Sequence, residues 1–167
     1  MMFLAYPFMA AASAIFTLLA MLLAPLTACF VDANGDLPRW LRWFQPADTK
    51  CWGDALFWQN QGAGLTTQER CAMWLRRNPA QGFDTLLRAS CHPCDSSRIF
   101  GKPNIHDGAG GIGGAVLVLQ SGYFWLNIIL PLGFGRCAIC YFGWRLLDAS
   151  QNYGQFAFTP LRFNKFG

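Results

Sequence analysis

The feature that most constrains this chain is a long uncharged, apolar run at its amino end. Met1–Val31 contains no Asp, Glu, Lys or Arg, and Phe3–Phe30 is rich in Ala, Leu, Met and Phe. As an α-helix, Phe3–Phe30 would be about 42 Å long at about 1.5 Å per residue, longer than the ~30 Å hydrocarbon core of a bilayer. We therefore predict an N-terminal transmembrane helix, a membrane anchor over residues 1–31 with the lipid bilayer as its partner.

Three interpretations of this run compete, and the anchor is the first of them. A cleaved signal peptide has about 7–15 apolar residues after a positive start, whereas this run is longer and no Lys or Arg precedes it. Leu26–Cys29 resembles a lipoprotein cleavage box, in which Cys29 would be acylated. A buried core helix is the third. For an anchor, Arg39, Arg42 and Lys50 all lie downstream, so the positive-inside bias predicts a single pass with the C-terminal domain in the cytoplasm.

The next segment, residues 32–64, is predicted to be a juxtamembrane interfacial helix and a loop. If Asp36 caps a short helix with Pro38 in its first turn, one face is apolar and the arginines point towards headgroups. The alternative is that the aromatic side chains pack on the protein's own core. Gln45–Gly64 is predicted to be an ordered loop. The predicted membrane-interface residues are Leu37, Arg39, Trp40, Leu41, Arg42, Trp43 and Phe44.

Residues 65–167 are predicted to form a small α+β domain. Thr66 and Glu69 have the spacing of a capping box, which predicts a helix over Thr67–Arg77. A short helix is expected over Phe83–Ala89 and a turn-rich loop over Cys91–Gly114. The apolar face of the first helix would consist of Cys71, Trp74 and Leu75.

A second uncharged stretch, Gly108–Gly135, is predicted to be β-structure. Turn clusters at Gln120–Gly122 and Pro131–Gly135 divide the region into short apolar runs. We predict a C-terminal antiparallel β-meander over residues 115–160. The alternative is a second membrane span over Ala115–Gly135, which has the length. The predicted runs are Ala115–Leu119, Tyr123–Leu130, Arg136–Leu147 and Gln155–Thr159.

Motifs that resemble metal or cofactor sites lack the context that such sites need. Cys91–Cys94 and Cys137–Cys140 are C-x-x-C pairs. The second pair is expected in a strand, where residues three apart point to opposite faces and cannot share one ion. Gly108–Gly113 matches G-x-G-x-x-G without the strand before it or the helix after it that hold a dinucleotide. We predict no metal and no cofactor.

Weak catalytic candidates are Cys91 and Cys94, as a redox dithiol, and His106 with Asp107, as a general base. No complete catalytic set accompanies them. The formal net charge of +4 is not organised into a basic stripe, so no nucleic-acid partner is expected. Seven cysteines, an odd number, favour a reduced, cytosol-facing location over a disulfide framework.

Four strings occur in order along the chain: Asp36–Asp48, Arg77–Asp84, Phe142–Arg145 and Gly154–Pro160. Together they resemble a family of uncharacterised membrane-anchored proteins encoded by tailed bacteriophages and prophages. This chain lacks the threonine that usually follows Phe-Gln, and the family's Asp-Gly-Asp-rich stretch is here Asp48–Asp54. The resemblance implies a phage origin and an anchored domain, in the host inner (cytoplasmic) membrane, and implies no activity.

The leading hypothesis is a non-enzymatic, membrane-anchored phage protein that binds a host envelope component or another phage protein. One alternative is a membrane-tethered thiol-redox or hydrolytic enzyme that uses Cys91, Cys94 and His106. The other is a virion structural component.

Overall fold

The computed structural model describes residues 2–46, 49–79, 81–91, 97–147 and 153–166. The chain divides into two compact units. Unit 1 combines Met1–Ala10 with Leu87–Gly167, and unit 2 is Ala11–Leu86.

The elements make an α+β fold, as predicted. The helices are α1 (Met2–Ala28), a 3-10 helix (Arg39–Phe44), α2 (Ala55–Asn60), α3 (Thr67–Arg77), α4 (Gln81–Asp84) and a 3-10 turn (Thr85–Leu87). The strands are β1 (Arg98–Gly101), β2 (Gly114–Gln120), β3 (Tyr123–Gly133), β4 (Arg136–Arg145) and β5 (Gln155–Lys165).

In unit 1 the strands form one antiparallel sheet in the order β1-β2-β3-β4-β5. The meander prediction is confirmed, and the alternative of a second span over Ala115–Gly135 is wrong, because a turn at Ser121–Gly122 separates β2 from β3. Strand β1 lies where a loop was predicted. It has four residues, all exposed, so no buried periodic pattern marks it in the sequence.

The core of unit 1 is built around Trp144, which is fully buried. Its indole Nε1 donates a hydrogen bond to the Leu87 carbonyl over 2.7 Å. The start of α1 belongs to the same core, since the Tyr6 ring lies edge-on to Trp144 at 5.5 Å. The buried Tyr6 hydroxyl donates to the Ala157 carbonyl on β5, also over 2.7 Å.

In unit 2 the capping box is confirmed. Thr66 Oγ1 accepts from the Glu69 amide, and the Glu69 carboxylate accepts from the Thr66 amide. The predicted helix has the expected bounds, and its predicted apolar face is buried: Cys71, Trp74 and Leu75.

Helix α2 is a correction to the predicted loop over Gln45–Gly64. The Asp54 side chain caps it by accepting from the Phe57 amide over 2.7 Å. Phe57 is buried, with its ring 4.9 Å from that of Trp74. A helix of six residues has fewer than two turns, too few to produce a recognisable 3.6-residue period in the sequence.

Candidate functional site

Helix α1 has two chemically different sides. Its exposed side carries large apolar residues three, four or seven positions apart: Leu4, Phe8, Ile15, Leu18, Leu22 and Leu26. We call these six residues the apolar row. The buried side carries mostly small residues: Tyr6, Ala10, Ser13, Ala20, Ala24, Thr27 and Ala28. Large side chains on the exposed side and small ones against protein are the reverse of a soluble amphipathic helix.

Unit 2 holds its part of α1 by packing and by a polar contact to Ser13. Ala24 and Ala28 belong to a buried cluster that also contains Leu37, Leu41 and Cys71. The Ser13 hydroxyl donates to Asp84 Oδ1 over 2.7 Å. Burial raises the pKa of the Asp84 carboxyl, and this hydrogen bond only partly offsets that effect.

The predicted interface segment forms a 3-10 helix over Arg39–Phe44, and Pro38 occupies its N-cap position instead of Asp36. With three residues per turn, side chains three apart share a side. Trp40 and Trp43 are therefore exposed together, and so are Arg39 and Arg42.

The other predicted interface residues lie inside unit 2. Leu37 and Leu41 are buried, and the Phe44 ring stacks on Phe16 at 5.0 Å. The predicted α-helix would place Trp40 and Leu41 on the same apolar face. In the tighter 3-10 helix, Trp40 is exposed and Leu41 is buried.

The exposed aromatic residues of this segment continue beyond it. Trp40 is 68% exposed, and its ring meets that of Phe30 edge-on at 5.5 Å. Phe30 follows the end of α1 by two residues. We call Phe30, Arg39, Trp40, Arg42 and Trp43 the collar. Aromatic rings beside arginine are typical of the boundary between hydrocarbon and headgroups.

By length and composition α1 could cross a membrane. Of its most apolar stretch of 18 residues, 22% is buried in the protein. Its first turns are also engaged, because Tyr6 and Ala10 belong to the core of unit 1.

The cysteine candidates do not come together as a site in the part of the chain that is described. Cys94 lies outside the described residues. Cys91 is half-buried, and burial raises the pKa of its thiol, which reduces its thiolate fraction at neutral pH. Cys137 and Cys140 both lie on β4, on opposite faces of the sheet.

His106 and Asp107 lie in the loop between β1 and β2. The backbone of His106 exchanges two hydrogen bonds with Ile112, and the Asp107 carboxylate accepts from the Asn164 side chain on β5. Both residues line a cleft of about 280 Å³ on one face of the sheet. The cleft also contains residues that the sequence analysis did not select: Asn127, Tyr141, Arg145 and Arg162.

Unit 1 exposes a further apolar patch at the β3–β4 hairpin. Leu130, Leu132 and Phe134 are exposed there, as are Leu161 and Phe163 on β5. Exposed apolar patches of this kind are typical of interaction surfaces.

Comparison with curated proteins and with solved structures finds no significant match. One family model matches residues 1–166, almost the whole chain, so the chain belongs to DUF7338, a family of unknown function.

Proposed function

We propose that this chain is a non-enzymatic, membrane-bound protein of a tailed phage or prophage. It is held at the cytoplasmic face of the host inner membrane and binds a host envelope component or another phage protein. The observation that carries membrane attachment is the two-sided character of α1. The phage origin is supported only by the sequence resemblance.

The apolar row supplies the driving force for attachment. Leu4, Phe8 and Leu22 are each more than 75% exposed, and burial of one such side chain in hydrocarbon contributes about 1–2 kcal/mol. The collar adds indole rings at the headgroup level and two arginines that attract anionic lipid.

The packing of Tyr6 supports an in-plane helix. A single pass with everything after α1 in the cytoplasm would pull Tyr6 away from Ala157, to which it is hydrogen-bonded inside unit 1. A helix that lies along the cytoplasmic leaflet keeps this contact and still buries the apolar row. We therefore propose in-plane attachment in place of the single pass expected from length and charge.

The chemistry of Cys91 argues against the thiol-enzyme alternative. Redox and nucleophilic cysteines have lowered pKa values, whereas burial raises the pKa of Cys91. If Cys91 were the nucleophile of a thiol enzyme, it would react with a thiol reagent at neutral pH much faster than buried Cys71. The ratio of the two rates would exceed what the difference in exposure alone explains.

The experiment is membrane fractionation of the full chain carrying an epitope tag at each end. We expect the protein to remain in the membrane pellet after carbonate extraction. In spheroplasts treated with protease, both tags should be protected. Digestion of the N-terminal tag alone would establish a span and refute the in-plane arrangement, whereas a freely soluble product would refute attachment itself.

A further inference from the structure

A row of polar side chains crosses three strands at the cleft in unit 1, and two of its members, Asn127 and Tyr141, line the cleft. Asn127 on β3 is paired with Tyr141 on β4, and Tyr141 is paired with Thr159 on β5. Paired residues in antiparallel strands point to the same face. Their polar groups are therefore neighbours on the face that His106 and Asp107 border.

A β-bulge adds an arginine to this face. Tyr141 pairs with Thr159 and Ile139 pairs with Arg162, so β4 advances by two residues while β5 advances by three. Without the extra residue, Leu161 would face the cleft and Arg162 would face the other side. Bulges that redirect one side chain are common beside functional sites.

The second arginine reaches the same tyrosine along β4. The Arg145 guanidinium carbon lies 5.5 Å from the centre of the Tyr141 ring. Gly143, between them on the strand, has φ +97°, and a Cβ there would lie 2.1 Å from the Phe124 carbonyl oxygen. Only glycine fits this position, so no side chain separates Tyr141 from Arg145.

Arg145 and Arg162 both lower the pKa of the Tyr141 hydroxyl. Burial raises its pKa, but hydrogen bonding from Thr159, Arg162 and Arg145, with the positive charge of Arg145, outweighs burial and lowers the pKa of Tyr141 overall. Among the described residues, no carboxylate forms an ion pair with either arginine. Asp107 is the one described carboxylate in the cleft lining, and it accepts from Asn164.

The cleft also contains an unused acceptor. Among the residues that the structure describes, none gives a hydrogen bond to Asn127 Oδ1, although this atom is buried, and a buried acceptor is costly to leave unsatisfied. A ligand with a hydroxyl group at this point would satisfy it. Trp125, Ile129 and Ile139 give the cleft an apolar part, and its volume is just below the range of about 300–1,000 Å³ usual for ligand sites.

We propose that this cleft binds the phosphate group of a small phosphate monoester. Two guanidinium groups and the Tyr141 hydroxyl offer donors for three phosphate oxygens, whereas one guanidinium fork is enough for a carboxylate. A hydroxyl of the organic part donates to Asn127 Oδ1. The site belongs to unit 1 and does not depend on the proposed membrane attachment.

The test is calorimetric titration of the full chain in non-ionic detergent with glycerol 3-phosphate and inorganic phosphate, and with acetate and glycerol as comparison probes. We expect both phosphates to bind and the comparison probes not to. Arg145→Gln and Arg162→Gln should each weaken binding about tenfold or more, the usual scale for one charged hydrogen bond. Arg98→Gln is the matched control, because Arg98 is exposed on β1 and is not in the cleft lining; it should change nothing.

Vesicles distinguish a free monoester from a lipid headgroup. If phosphatidic acid vesicles bind the chain more tightly than phosphatidylglycerol vesicles, and Arg145→Gln removes that preference, the phosphate belongs to a lipid. If only the soluble monoester responds to Arg145→Gln, it belongs to a small molecule. The proposal is overturned if no phosphate probe binds in either arm, if acetate binds as well as phosphate, or if Arg98→Gln weakens binding equally. Equal thermal unfolding of the variants excludes misfolding.

Discussion

The double variant Leu18→Ser/Leu22→Ser should strongly weaken membrane binding without unfolding unit 2. The two side chains are 62% and 76% exposed, so transfer of each from water to hydrocarbon contributes about 1–2 kcal/mol and the pair about 3 kcal/mol. At about 1.4 kcal/mol per tenfold, the vesicle partition coefficient should fall about 100-fold. The folded protein loses little, because exposed substitutions usually change stability by less than about 0.5 kcal/mol.

The measurement is flotation of the full chain with anionic vesicles over a range of lipid concentrations. Leu56→Ser/Leu86→Ser is the control, since these leucines are 69% and 62% exposed in the same unit but lie outside α1. If vesicle binding depended only on the total apolar surface of the protein, both double variants would bind vesicles equally weakly. Equal partition coefficients for the two variants would refute the apolar row as the bilayer contact.

Three further changes test the packing. Thr66→Ala removes the α3 cap and should cost about 1 kcal/mol of unfolding free energy, whereas the exposed, non-capping Thr67→Ala should cost clearly less in the same denaturant titration. Asp84→Asn keeps an acceptor for Ser13 but cannot ionise. Because the pKa of Asp84 is raised in the fold, the wild-type protein loses stability as the pH rises above the ordinary pKa of 3.8. Above that pH the variant should therefore melt at a higher temperature than the wild type. Below it, the two should show no difference due to ionisation. Tyr6→Phe removes the hydroxyl that donates to the Ala157 carbonyl and should cost about 1 kcal/mol; an unchanged stability in membranes would mean that α1 has left the sheet.

The sequence was informative where the determining interactions are local. The capping box at Thr66 and Glu69 involves residues three apart, and it predicted α3 with its bounds. Turn residues between apolar runs likewise predicted β2–β5. Strand β1 was missed because only its pairing with β2 defines it, and its own residues are exposed.

The cleft could not be predicted, because its residues come from a loop and three strands. A period-2 pattern places Tyr141 and Arg145 on one face of β4, but the same pattern applied to β5 assigns Arg162 to the face opposite Thr159. The bulge reverses that assignment. Pro160 lies within it, and proline in a sheet is confined to edges and bulges, but a proline alone does not say which of these it marks. His106 was selected for a catalytic role, and its position beside the arginines became evident only from the folded sheet.

The net charge of +4 also has a different meaning once the fold is known. Arg39 and Arg42 are exposed, and salt screens such charges within about 10 Å, so they favour an anionic surface without recognising one group. Arg145 is half-buried, so salt screens it less. Arg162 is exposed but hydrogen-bonds the same tyrosine as Arg145, and two guanidinium groups placed around one hydroxyl select a ligand by geometry. The same residue type therefore contributes general attraction in the collar and specific recognition in the cleft, and a small overall charge excess is compatible with both.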